Sequence, residues 1–333
     1  SLTLQKISWK RMTSLIEIPG GDHRLEHLLY SFYCSYPLKF WSKYRWWRNS
    51  KLSDKLPKLN SKRKWITVIN RLGARGDTLI TANVIRCIKT QYPNIKVNCI
   101  TPYSELIEHD PIIDSINKPE TFYSFDSSYF ELIVRNEENE NVVAHNLKRL
   151  GIEDYQYKSK FHLLNQEIEW AKRIFSKYTK PPIAISAKSK DEVKNWPVRH
   201  WIETVSQIKN QFTIIQLGDD SEPIFDHVIR FAGKCSMRES AALLSQCNLF
   251  VGPDSLLMHI ANGLNIKSVI IFGDGRPVNC LGYPDNINVS LSCKSGHSWQ
   301  RFEETGAISN QMSRIDPQKI VDHINHFARN LAL

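Results

Sequence analysis

The sequence predicts an α/β protein whose parallel sheets fall into two blocks facing a cleft, and three observations carry that expectation. Short β-branched runs alternate with helix-period stretches from Trp65 onward, the pattern of βαβ units. The alternation pauses between residues 160 and 181, which separates one block from the other. In each block an acidic residue stands where a strand gives way to a helix, Asp77 in the first and Asp254 in the second. Ligands of doubly wound sheets sit beyond such strand ends.

The first block opens with the β-branched strand WITVIN (65–70). The loop RLGARGDT follows, then LITANVIRCIKTQYP, helical until Pro93 ends it. KVNCIT (96–101) reads as the next strand, SELIEHDPIID (104–114) as a short helix and YFELIV (129–134) as a further strand. In the second block the strands are PIAISA (182–187), FTIIQLG (212–218), NLFVG (248–252) and SVIIFG (268–273). Helical periods over 166–178, 198–209, 238–245 and 255–264 fall between them. In VGPDSLLMHIANGL (251–264), Gly252 and Pro253 end the strand, and Leu257, Met258, Ile260, Ala261 and Leu264 recur at helical spacing. Asp254 and Ser255 fall where an N-cap belongs. A helix start after a parallel strand also offers unpaired N–H groups to an anion, so capping and ligand binding both stand open.

At 333 residues the chain has room for two domains. No run reaches the roughly 18 apolar residues of a membrane span, and the N-terminus lacks the pattern of a secretory signal. Seven scattered cysteines without a CxxC pair indicate neither a disulfide framework nor a zinc site. A reducing cytoplasmic setting is the expectation. No G-x-G-x-x-G follows a strand, which argues against a dehydrogenase.

Net charge is +10, and all of it belongs to the first 64 residues, with fourteen Lys or Arg against four Asp or Glu. Within them YSFYCSYPLKFWSKYRWW (30–47) has nine aromatic residues interleaved with Lys39, Lys43 and Arg45. Such a segment covers an apolar flank of the following domain, or meets an anionic membrane surface with rings at headgroup level. Nucleic-acid stacking is the weakest of its uses. NSKLSDKLPKLNSKRK (49–64) reads as a basic linker, and residues 30–64 together are the candidate membrane-facing segment.

Three stretches resemble a known family. RLGARGDTLITANVIRCIKTQYPN, VKNWPVRHW and FAGKCSMRESAALLSQCNLFVGPDSLLMHIANGLNIKSVIIFG resemble the motifs of bacterial heptosyltransferases, glycosyltransferase family nine, over about residues 65–289. The resemblance implies a GT-B fold of two Rossmann-like domains. It divides the chain into the extension and linker (1–64), an acceptor-side domain (65–165), a nucleotide-sugar-binding domain (166–310) and a C-terminal helix (311–333) packing back on the first domain. It implies an inverting transfer of a sugar, heptose in the family, from a nucleotide diphosphate donor such as ADP-heptose to a glycan or lipopolysaccharide-type acceptor. No metal and no cofactor beyond that co-substrate are expected. The enzyme would be cytoplasmic, peripheral on the inner face of the cytoplasmic membrane.

By that resemblance Asp77 matches the general base, Lys194 the lysine on the donor phosphates, and Asp254, Ser255 and His259 the donor box. Ser186 and Ser189 stand for hydroxyl residues that precede the lysine. Gly218, Asp220 and Glu222, beyond the FTIIQLG strand, are candidates for the nucleoside, and Arg71, Arg75 and Arg86 for an acidic acceptor. The chemistry suits these residue types, since a carboxylate takes the acceptor proton while an ammonium, a hydroxyl and helix amides stabilise the leaving diphosphate. Each has a structural alternative: Asp77 as the N-cap of a helix from Thr78, Lys194 as a solvated loop lysine, His259 as a core histidine. Leu256 stands where the family has glycine, so it lies at the sugar pocket, and Asp274 and Gly275 replace its Pro-Thr, with Arg276 just beyond. Leu256 is also what a non-catalytic, degenerate GT-B binding protein would show, one engaging membrane or a partner through the aromatic N-terminus.

Overall fold

The computed structural model describes residues 64–119, 123–129, 132, 140–273, 278–291 and 311–331, all within the compact unit Asn49–Leu333. Two sheets organise it, each wholly parallel. The first has the order β3-β2-β1-β4, from β1 (Trp65–Asn70), β2 (Lys96–Ile100), β3 (Ser115–Ile116) and β4 (Ser124–Ser127). The second has the order β10-β9-β8-β5-β6-β7, from β5 (Pro182–Ile185), β6 (Thr213–Gln216), β7 (Ile229–Arg230), β8 (Leu249–Pro253), β9 (Lys267–Ile271) and β10 (Ile287–Val289).

Both sheets reverse their direction of growth once. In the first the reversal lies between β1 and β4, where Asn70 is in register with Ser127. In the second it lies between β5 and β8, with Ile185 opposite Val251. A crevice opens at such a point beyond the carboxyl ends of the strands.

Alternation along the strands sends side chains to two cores. Ile183, Ile185, Leu249, Val251, Val269 and Ile271 face α4 (Val198–Ile208) and α9 (Pro317–Leu331), meeting Trp201, Val205, Ile320 and Ile324. Ala184, Phe250 and Ile270 belong to the other core. It runs on through α5 (Met237–Leu244) and α6 (Leu256–Gly263) into the first sheet and α1 (Arg75–Gln91), so the two halves share one apolar interior. Around it lie α2 (Val142–Arg149), α3 (Asn165–Phe175), α7 (Val278–Leu281) and α8 (Gln311–Arg314).

Two expectations change, and a third falls largely outside the described residues. The C-terminal helix packs on α4 and β9 of the second sheet and not back on the first, because Ile320, Val321 and Ile324 complete the apolar face that β5, β8 and β9 leave open. The helix expected over 104–114 is a single 3-10 turn, Ser104–Leu106, and Pro111 disfavours a helical conformation at Asp110 within that span. The strand of this block is Ser124–Ser127. Of the 129–134 run only Tyr129 and Leu132 are described, and neither is in a strand.

Candidate active site

The loop bearing Asp77 is organised by Asn70 at the end of β1. Asn70 Oδ1 accepts from the Gly73 amide at 3.0 Å, and Nδ2 donates to the Ala74 carbonyl at 3.3 Å and Thr78 Oγ1 at 3.0 Å. Gly73 turns the chain at φ 68°, a left-handed conformation that favours glycine. Ala74 is then the N-cap of α1, which begins at Arg75. Asp77 is therefore a first-turn residue and not the cap of a helix from Thr78. Tyr129, two residues beyond β4, donates its hydroxyl to Asp77 Oδ1 at 2.8 Å. Burial pushes the Asp77 carboxyl above its ordinary value and Asp254 adds to this, while Tyr129, the Lys194 charge and the Ala74 amide pull it down.

Asp77 thus senses two residues of the second half. Lys194 closes the 3-10 turn Glu192–Lys194, and its Nζ lies 2.6 Å from Asp254 Oδ2. Asp254 directly follows β8 and is buried. The N-cap of α6 is Ser255, not Asp254, which turns to Lys194 instead. Ser255 makes no side-chain capping bond, and its Oγ is buried without a hydrogen-bond partner. Such an orphaned hydroxyl at a helix start leaves donor capacity for an anion.

His259, one turn along α6, is buried with Nδ1 2.8 Å from Tyr283 Oη. Burial holds its ionisation down to about 4, with Lys194 assisting and Asp254 opposing, so the ring is neutral at pH 7. It lies against the start of α1, where a Cβ at Gly76 would stand 2.9 Å from His259 Cδ2. His259 is thus both a satisfied core histidine and part of the contact between the halves.

A second cluster forms where β5 and β6 end. The buried Glu222 accepts from Ser186 Oγ at 2.7 Å, Ala187 N at 2.8 Å and Lys188 N at 3.0 Å. Burial raises its carboxyl above the ordinary value against those bonds. Gly218, at φ 131°, leaves the space that Glu222 fills. Ser189 orders the following loop, its amide donating to Asn195 Oδ1 at 2.6 Å. Asp220 is exposed, and its carbonyl accepts from Arg230 Nη2 at 3.2 Å. Leu256 opens α6 and packs against the core.

The arginines separate. Arg71 pairs with Asp126 at 2.8 Å. Arg75 is exposed, 5.5 Å over the Tyr103 ring, and its charge is felt by Asp219 of the second half. Arg86 pairs with the buried Asp110 at 2.7 Å. It lies nine residues along α1 from Asp77, about 13 Å at the helical rise, so the structure does not bring it to the cleft. Asp274, Gly275 and Arg276 lie outside the described residues, as does the aromatic segment. Among the described residues no group of three or more His, Cys, Asp and Glu side chains is placed to hold a metal ion, and no helix is long and apolar enough to cross a membrane.

The family description Glycosyltransferase family 9 (heptosyltransferase) matches residues 128–307, just over half of the chain. The chain belongs to glycosyltransferase family 9. It is accordingly a glycosyltransferase of GT-B fold. A family 9 glycosyl transferase from Veillonella parvula superposes with a TM-score of 0.62 at 14% identity, covering 81% of this chain and 98% of that one. The iron-containing dodecameric glycosyltransferase TibC of enterotoxigenic E. coli gives 0.66 at 17%, covering 82% and 78%. The E. coli ADP-heptose lps heptosyltransferase II gives 0.56 at 14%, covering 80% and 99%. No curated sequence relative matches this chain.

Three residues that hold this candidate site together escaped the sequence reading. Asn70 carries a signal, since a polar residue ending a buried strand before a glycine loop is placed to bond that loop's backbone. Tyr129 and Tyr283 carry none, because the folded sheets alone bring them to Asp77 and His259.

Proposed function

We propose that this family 9 enzyme transfers heptose from ADP-heptose to a glycan or lipopolysaccharide-type acceptor, with inversion and without a catalytic metal. The observation that carries the reading is the close approach of α1, which bears Asp77, to α6 at Gly76 and His259, with the Lys194–Asp254 pair of the second half within electrostatic range of Asp77. The acceptor hydroxyl attacks the anomeric carbon and passes its proton to Asp77. The bond from that carbon to the diphosphate oxygen breaks, and the electron pair leaves with the diphosphate. Lys194, Ser255 and the α6 amides receive that charge, and Asp254 orients Lys194. Displacement from the opposite face inverts the carbon. Ser186, Gly218, Asp220 and Glu222 frame the nucleoside, with the buried Glu222 tying the end of β5 to the loop after β6. His259 seats α6 against α1, Leu256 borders the sugar, Ser189 sets the Lys194 loop, and Arg71 and Arg75 border the acceptor.

The choice of donor draws on two similar structures, TibC in complex with ADP-D-beta-D-heptose and the E. coli heptosyltransferase WaaC with ADP. Residues 65–165 would present the acceptor and 166–310 the donor. The test is a melting-temperature panel with ADP, UDP and GDP, since a ligand of the folded state alone raises it, followed by transfer assays from the matching sugars. ADP should give the largest rise. A larger rise with UDP or GDP removes ADP-heptose as donor, and turnover abolished by a chelator removes the metal-free step.

We further propose that residues 30–64 hold the cytoplasmic enzyme at an anionic membrane face, on the strength of interleaved aromatic and basic residues. Deletion of residues 1–64 should abolish co-sedimentation with phosphatidylglycerol vesicles. Equal sedimentation of both forms rejects this role.

A further inference from the structure

The carboxylate of Asp77 is not held by its helix alone. β4 runs parallel to β1 in the first sheet, with Ser127 in register with Asn70. The two chains therefore leave the sheet side by side, one toward Asp77 and one toward Tyr129. The phenol reaches Oδ1 at 2.8 Å, and its ring packs against the core, so the hydroxyl is delivered from a fixed body. From the second half the Lys194 charge lowers and the Asp254 charge raises the ionisation of the same carboxylate, and the Ala74 amide approaches it from the loop. Of these groups Tyr129 alone is a neutral side-chain donor bonded directly to the carboxylate.

We propose that Tyr129 is the positioning residue for Asp77, fixing Oδ1 so that the remaining lone pairs of the carboxylate meet the acceptor hydroxyl. The assignment rests on the reading of Asp77 as the base. Its consequences are specific. A hydrogen bond to the charged form favours that form, so Tyr129 opposes the upward push of burial on this carboxyl. Removing the hydroxyl leaves burial unopposed from that side, and the protonated, inactive form persists to higher pH.

The test follows the Asp77 carboxyl directly by NMR in full-length protein carrying carboxyl-¹³C aspartate, with the signal assigned by its absence in Asp77→Asn. Tyr129→Phe keeps the ring and removes the donor. The Asp77 midpoint should rise by about one pH unit, and a 3-fluorotyrosine at 129, a stronger donor of similar size, should lower it. Turnover of Tyr129→Phe should be about tenfold low below the new midpoint, approach wild type at alkaline pH and leave the donor KM unchanged. A midpoint unmoved in both proteins, or a deficit of the same size at every pH, overturns the assignment. If Asp77→Asn is inactive and the midpoint stays put, only the role of Tyr129 falls. Full turnover in Asp77→Asn removes the base and Tyr129 together.

Discussion

Acidification should strip stability from this fold through His259. Its ordinary value is 6.5, and burial beside Tyr283 lowers it to about 4 in the folded state. Between those values the unfolded chain binds a proton that the folded chain refuses. Stability is therefore complete above pH 6.5, falls as pH drops through the window and stops falling below about 4. The gap is worth at most roughly 3 kcal/mol, of which about 2 kcal/mol is lost by pH 5. Urea unfolding of wild type and His259→Gln at pH 7, 6 and 5 isolates the effect, because every other group titrates in both proteins. Glutamine keeps a partner for the Tyr283 hydroxyl and carries no titrating ring. Wild type should lose about 2 kcal/mol more than the variant between pH 7 and 5. Parallel losses would refute the argument, since the histidine would then be reached by water or protonated in place.

Two further outcomes follow from the same contacts. Gly76→Ala places a methyl 2.9 Å from a histidine ring pinned by Tyr283. Overpacking of about 1–3 kcal/mol outweighs the helix propensity gained, so both the melting temperature and the transfer rate should fall, and a more stable variant would show that the halves part easily there. Lys194→Met removes the ion pair of the buried Asp254, at a cost of up to about 3–5 kcal/mol, and should also weaken ADP binding in calorimetry. Adding Asp254→Asn should restore the melting temperature but not the affinity; recovery of both would make Lys194 a structural lysine.

Much of the fold was legible in the sequence because burial on both faces writes parallel strands as apolar runs. Ile183, Ile185, Val251 and Val269 needed no partner to be read as strand residues. Ser124–Ser127 hid because its sequence, SFDS, is polar and short, although Asp126 is spoken for by Arg71. The C-terminal helix was legible as a helix, but its docking was not, since an apolar stripe does not name the sheet it covers. The site divides the same way. Asp77, Asp254 and Ser255 announce themselves at strand ends, and so does Lys194 once the motif around Trp196 is read. The pairing of Lys194 with Asp254, the setting of Glu222 on backbone amides and the reach of Tyr129 to Asp77 depend on residues 34 to 60 positions apart. The pairing of Arg86 with the buried Asp110, 24 positions on, is likewise beyond what positive charge alone reveals.

Turnover of Asp77→Asn, measured beside its affinity for ADP, is the most direct trial of a proton acceptor facing a diphosphate cradle. Asparagine preserves the shape and the hydrogen bond from Tyr129 but cannot take the proton. The rate should fall by about a hundredfold or more while ADP binds as tightly as before. A variant that still transfers sugar at the wild-type rate would contradict the account.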